Sequence, residues 1–83
     1  MTLNSELMGE IQVLGMFDLS STQLGIKVHH DADKSLIEAT QRLFDKGLIT
    51  QNDGGYLTGL GHDAAENSQR LMTILTTEPA LVN

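Results

Sequence analysis

The residues with the most chemistry to offer gather at His29, His30, Asp31 and Asp33, with His62 and Asp63 further along the chain. Imidazole and carboxylate groups are common metal ligands. Adjacent histidines on an extended chain point to opposite faces, which makes one shared ion awkward. The cluster therefore reads as a solvated turn that caps the following helix, and no metal is assigned. Serine, histidine and aspartate all occur, but nothing sets a nucleophile on a strained strand-to-helix turn. Gly54 and Gly55 lack the Lys-Ser/Thr pair and the strand-to-helix setting of a phosphate loop. A chain of 83 residues encloses a deep pocket only with difficulty. These residues point to a binding protein rather than an enzyme, with no cofactor.

Binding chemistry is more legible. Lys27, His29, His30, Lys34, Gln41, Arg42 and Lys46 carry the donors that touch phosphates or base edges, and they are the candidate nucleic-acid contacts. The chain has 5 Lys and Arg against 11 Asp and Glu, a net charge of −6. Affinity for a polyanionic duplex comes largely from cations that displace counterions, so the total opposes tight nonspecific binding to DNA. The distribution is uneven. Lys27, Lys34, Arg42 and Lys46 meet Asp31, Asp33, Glu38 and Asp45 in a neutral middle segment, while Arg70 is the only cation of the acidic flanks. A surface that meets an anion should be the middle one, although Glu38 is spaced to pair with Arg42 one helical turn on.

The elements that position these residues follow from local signals. Asn4 is an N-cap, with Leu3 and Met8 spaced as a hydrophobic staple. Leu7, Ile11 and Leu14 recur at helical spacing beside Met8, which predicts a first helix over about 5–16. Residues 21–30 read either as a short extended piece centred on Ile26-Lys27-Val28-His29 or as an irregular helix. Asp31 or Asp33 opens the next helix, expected over about 34–46, with Leu36, Ile37, Thr40, Leu43 and Phe44 on its apolar side. Gly47 is its left-handed stop. Leu43, Phe44, Leu48 and Leu57 should then be buried together. Asn52-Asp53-Gly54-Gly55 between two β-compatible runs predicts a hairpin, and Tyr56 on it should pack over the preceding helix. Thr58 caps a long last helix with a stripe of Leu60, Ala64, Ser68, Leu71 and Leu75 beside Ala65 and Met72. Met8, Met16 and Met72 read as core or interface filler.

The fold class is mainly α with a small β-hairpin: helix, short extended piece, helix, hairpin wing, long C-terminal helix. The segment LFDKGLITQNDGGYLTGLG, Leu43 to Gly61, resembles the end of a recognition helix, the wing and the start of the next helix in bacterial winged helix-turn-helix regulators. The multiple-antibiotic-resistance regulators are of this type, and the likeness spans residues 36–75. GIKVHHDA and ATQRLFDKGLIT also make the whole chain similar to a family of short bacterial proteins, of uncharacterised activity, described as DNA-binding. That resemblance implies a transcription-regulator-like DNA-binding protein. The charge balance and a wing tip without Lys or Arg imply the alternative, an acidic protein-interaction module that keeps the winged-helix fold. One domain over 1–78 with a frayed tail at 79–83 is expected. A homodimer through the terminal helices would extend so small a core. The absence of cysteine, of a basic leader and of a long apolar run predicts a cytoplasmic protein without membrane contact.

Overall fold

A computed structural model describes residues 2–21 and 23–78. In chain order it contains α1 (Ser5–Leu14), β1 (Ile26–Lys27), α2 (Lys34–Asp45), β2 (Ile49–Gln51), β3 (Gly54–Leu57) and α3 (Gly59–Thr76). The strands form one antiparallel sheet in the order β1-β3-β2, and the whole has the winged-helix-like order. Within the 21–30 segment the extended reading holds at Ile26–Lys27: β1 pairs with β3, Ile26 opposite Gly55 and Lys27 opposite Gly54. Among the described residues, α2 therefore has no helix directly ahead of it. The expected tail at 79–83 lies outside the described residues.

Caps and turns account for the element ends. The Asn4 side chain accepts from the Leu7 N–H at 2.8 Å and starts α1. Asp33 stands at the N-cap of α2, but its carboxylate accepts from the Ser35 hydroxyl at 3.2 Å instead of from a helix N–H. At the other end Gly47, φ +80°, permits a Schellman turn in which Gly47 N–H donates to Phe44 and Leu48 N–H to Leu43, each at 3.0 Å. The hairpin turns through Asn52 and Asp53, neither at positive φ. The left-handed backbone sits just after them, at Gly54 and Gly55, where the β2–β3 register slips by one residue. Thr58 both caps α3, accepting from Gly61 N–H at 3.0 Å, and donates to the Gly47 carbonyl at 2.7 Å. That one hydroxyl ties the start of α3 to the end of α2.

The core joins Val13, Leu14 and Phe17 at the end of α1 to Ala39 and Leu43 of α2, Ile49 of β2 and Ala65 of α3. Several side chains differ from expectation. The buried side of α1 is Glu10, Val13 and Leu14, a rotation away from Leu7 and Ile11, while Leu3 and Met8 are exposed. Phe44 is 40% exposed, because Leu43 takes the inward position and the next residue of a helix lies about 100°, more than a quarter of a turn, away. Tyr56 is exposed too; its surroundings are Phe17, Leu19, Leu24 and His62, not α2. Met8, Met16 and Met72 are all half exposed and so are not core.

In α3 the domain covers only the small residues. Its buried residues are the small Gly61 and Ala65, and Leu60, Leu71, Met72, Ile74 and Leu75 are all exposed. The helix comes in so close that a β-carbon at Gly61 would lie 1.8 Å from the Leu48 carbonyl oxygen. Only small residues fit on that face, and the large apolar ones point elsewhere. Among the described residues, no helix is long and apolar enough to cross a membrane.

Candidate functional site

Six of the seven candidate contacts divide into two groups on opposite sides of α2, and Lys34 joins neither. Lys27 of β1, His29 and His30 of the turn after it, and Gln41 of α2 line one groove of about 560 Å³. Asn52 and Asp53 of the hairpin turn close its rim, and Val28, Ile37 and Thr40 give it an apolar floor. The convergence follows from the fold: Val28 N–H donates to the Asp53 carbonyl at 2.7 Å, which holds the chain after β1 against the hairpin turn. Thr40, fully buried, donates its hydroxyl to the Leu36 carbonyl at 2.7 Å and so presents no free donor. Gln41 donates to Asp45 at 3.0 Å. Lys34, the first residue of α2, is exposed and does not line the groove.

Arg42 and Lys46 face the other way, toward α1. Arg42 Nε donates to Glu10 Oε2 at 2.8 Å, and its Nη2 donates to the Glu6 carbonyl at 3.1 Å. Lys46 Nζ donates to Glu10 Oε1. Each oxygen of one carboxylate thus holds one cation. The expected Glu38–Arg42 pair does not form, because Arg42 reaches across to α1 instead.

Glu10 is only 6% exposed. Burial alone pushes its carboxyl up, but the hydrogen bonds from Lys46 and Arg42, and then their charges, outweigh that and hold it below the ordinary value. The Arg42 guanidinium is raised in turn, chiefly by its hydrogen bond to Glu10. The carboxylate therefore stays ionised across the physiological range.

Sequence reasoning named Arg42 and Lys46 and missed Glu10. A signal was present: a carboxylate at position 10 falls between Val13 and Leu14 on the helical wheel, where an apolar residue is expected. It also missed Gln69, whose amide donates to the carbonyls of Leu14 at 3.0 Å and Phe17 at 2.9 Å. The Leu14 carbonyl otherwise accepts only a long bond from the Phe17 N–H, at 3.5 Å, and Gln69 fastens the end of α1 and the turn after it to α3. His62 and Asp63 do not join the His29–Asp33 cluster; among the described residues no three His, Cys, Asp or Glu side chains gather in a metal-holding group.

No curated protein and no solved structure matches the chain. One family profile spans residues 1–76, nearly its whole length, and the chain belongs to that family, DUF5669, a family of unknown function.

Proposed function

We propose that this protein is an acidic protein-interaction module on a winged-helix-like frame, working by contact with other polypeptides and not by reading duplex DNA through α2. One observation carries the choice: the two cations of α2 that would meet phosphate, Arg42 and Lys46, are spent on the buried Glu10 carboxylate. To contact a duplex they would have to leave Glu10 unpaired at 6% exposure, an uncompensated buried charge. The apolar outer side of α3 offers the contact surface instead. Homodimerisation through the terminal helices and a reducing, cytoplasmic setting belong to this reading.

A second reading keeps DNA binding and a regulator-like role. It is favoured by the groove that gathers Lys27, His29, His30 and Gln41 beside Asn52 of the wing. That site would work with Lys27 and Lys34 as its cations. Fluorescence titration with random duplex and with a selected oligonucleotide library, at low and moderate salt, separates the two. The interaction reading expects no saturable binding. Salt-dependent binding that Lys27→Ala weakens would replace it with the second reading.

A further inference from the structure

The groove between β1 and α2 is a hollow that the domain leaves unfilled. Its volume of about 560 Å³ lies within the range of ligand-holding clefts. Val28, 6% exposed, and the fully buried Thr40 set its floor, with Ile37 beside them. The walls are fixed from two directions. The Val28 N–H donates to the Asp53 carbonyl at 2.7 Å, and a β-carbon at Gly54 would lie 2.5 Å from the Ile26 carbonyl oxygen. Only glycine lets the hairpin turn come this close to β1. On α2, the Thr40 hydroxyl is committed to the Leu36 carbonyl and the Gln41 amide N–H to Asp45.

The polar groups left for a ligand stand on the rim. Lys27, His29 and His30 are exposed along β1 and the turn after it, and Asp53 comes from the hairpin turn. Among the described residues none of these four belongs to an ion pair.

We infer that this groove docks an extended segment of a partner protein in which an acidic side chain stands beside an aliphatic one. The inference rests on the reading of the protein as an interaction module, and adds to α3 a second contact surface and the chemistry of its partner. Charge complementarity selects the acid. Lys27 is a full positive charge, and each neutral imidazole carries one N–H donor. A glutamate or aspartate at the rim accepts from Lys27 and from an imidazole, and such charge-assisted bonds are about twice as strong as neutral ones. The aliphatic neighbour covers Val28 and Ile37 and removes apolar surface from water. The N–H groups of an extended backbone answer the Asp53 carboxylate across the groove.

The same lining suits a peptide better than a duplex. Lys27 and Asp53 cancel in formal charge, whereas affinity for a polyanion needs several cations to displace counterions. A phosphate diester brings no donor to Asp53 and is repelled by it.

Amide chemical shifts of the full chain, followed during titration with two capped hexapeptides, test this. One peptide carries a central glutamate flanked by leucines, and the other has glutamine in its place. The glutamate peptide should give saturable shifts at Val28, Ile37, Gln41 and Asp53, and the glutamine peptide should bind roughly tenfold more weakly, as expected for the loss of one charge-assisted bond. Lys27→Ala should weaken the glutamate peptide roughly tenfold and leave the glutamine peptide nearly unchanged. Replacing both imidazoles, His29→Ala/His30→Ala, should weaken the glutamate peptide as well. Lys34→Ala removes an exposed cation outside the groove and should change neither affinity, which separates pairing at the rim from bulk charge.

The absence of saturable groove shifts up to millimolar peptide, or equal affinity for the two peptides, overturns the inference. The interaction reading then stands on α3 and the withheld cations for as long as duplex fails to bind. Random duplex that shifts the same amides in a salt- and Lys27-dependent way overturns both and gives the groove to nucleic acid.

Discussion

Gly61→Ala is the sharpest perturbation of the fold, because two effects of opposite sign are known for it. Gly61 lies inside α3, where alanine should favour the helix by about 1 kcal/mol. Against this, the new methyl would sit 1.8 Å from the Leu48 carbonyl oxygen and 2.8 Å from its carbon, both backbone atoms that cannot rotate away. α3 must move outward by about 1.5 Å to reach ordinary contact. That movement strains the Thr58 N–H bond to the Leu48 carbonyl at 3.0 Å and the Thr58 hydroxyl bond to the Gly47 carbonyl at 2.7 Å. Overpacking costs about 1–3 kcal/mol and each weakened hydrogen bond about 1 kcal/mol, so the net loss is about 2–4 kcal/mol. Gly59→Ala is the internal control, since nothing lies within 4 Å of its added carbon. It should be neutral or stabilise by up to about 1 kcal/mol. Urea unfolding of both variants at one protein concentration, with melting temperature as a second readout, should place Gly61→Ala well below wild type and Gly59→Ala at or above it. A Gly61→Ala protein as stable as wild type would refute the close approach of α3 to the α2–β2 corner.

Three further outcomes follow from the packing and the ion triad. Leu43→Ala should cost about 3 kcal/mol and Phe44→Ala clearly less, because Leu43 is fully buried and Phe44 is 40% exposed; equal losses in urea unfolding would contradict the assigned helix face. Gln69→Ala leaves the Leu14 and Phe17 carbonyls without their side-chain donor, so it should lower stability by about 1–3 kcal/mol and speed amide exchange at the end of α1; unchanged exchange there would count against the clasp. Glu10 has a folded-state carboxyl below its ordinary value, so its contribution is fully present above the unfolded pKa and is lost as pH falls through the folded one. Acid unfolding curves should show that loss in the wild type and a flatter acid limb in Glu10→Gln, and identical limbs would show that Glu10 is not coupled to folding.

Local chemistry made much of this fold legible. Gly47 as a left-handed stop, Thr58 as a cap and the Asn52–Gly55 turn each depend on a few neighbouring residues, and each is found where the sequence puts it. The extended piece was one of two readings of residues 21–30, since two β-branched residues decide little until β3 is there to pair with. The ion triad was not legible as a triad. Glu10 and Arg42 are 32 residues apart, and only the crossing of α1 with α2 brings them together. Glu38, four residues from Arg42, was the obvious local partner, and it lost to a less exposed carboxylate. In α3 the stripe was visible and was expected to serve a homodimer, but how much of it the domain itself covers was not legible. Residue size divides the helix: the tight contact at Leu48 admits glycine, with Ala65 buried one turn on, which leaves Leu60, Leu71 and Ile74 on the outer side. Of the candidate contacts, Lys27, His29, His30 and Gln41 converge, which the sequence could suggest only by their residue types.

If Glu10 keeps Arg42 and Lys46 from a polyanion, the salt dependence of duplex binding should differ between wild type and Glu10→Gln. Each phosphate-contacting cation adds about one unit to the slope of log affinity against log salt. Wild type should show no measurable binding at low salt. Glu10→Gln, with Arg42 and Lys46 released, should show weak binding with a slope of about two, removed by Arg42→Ala/Lys46→Ala in the same background. Wild-type binding with that slope, lost when Arg42 and Lys46 are replaced, would show that Glu10 does not withhold them from phosphate.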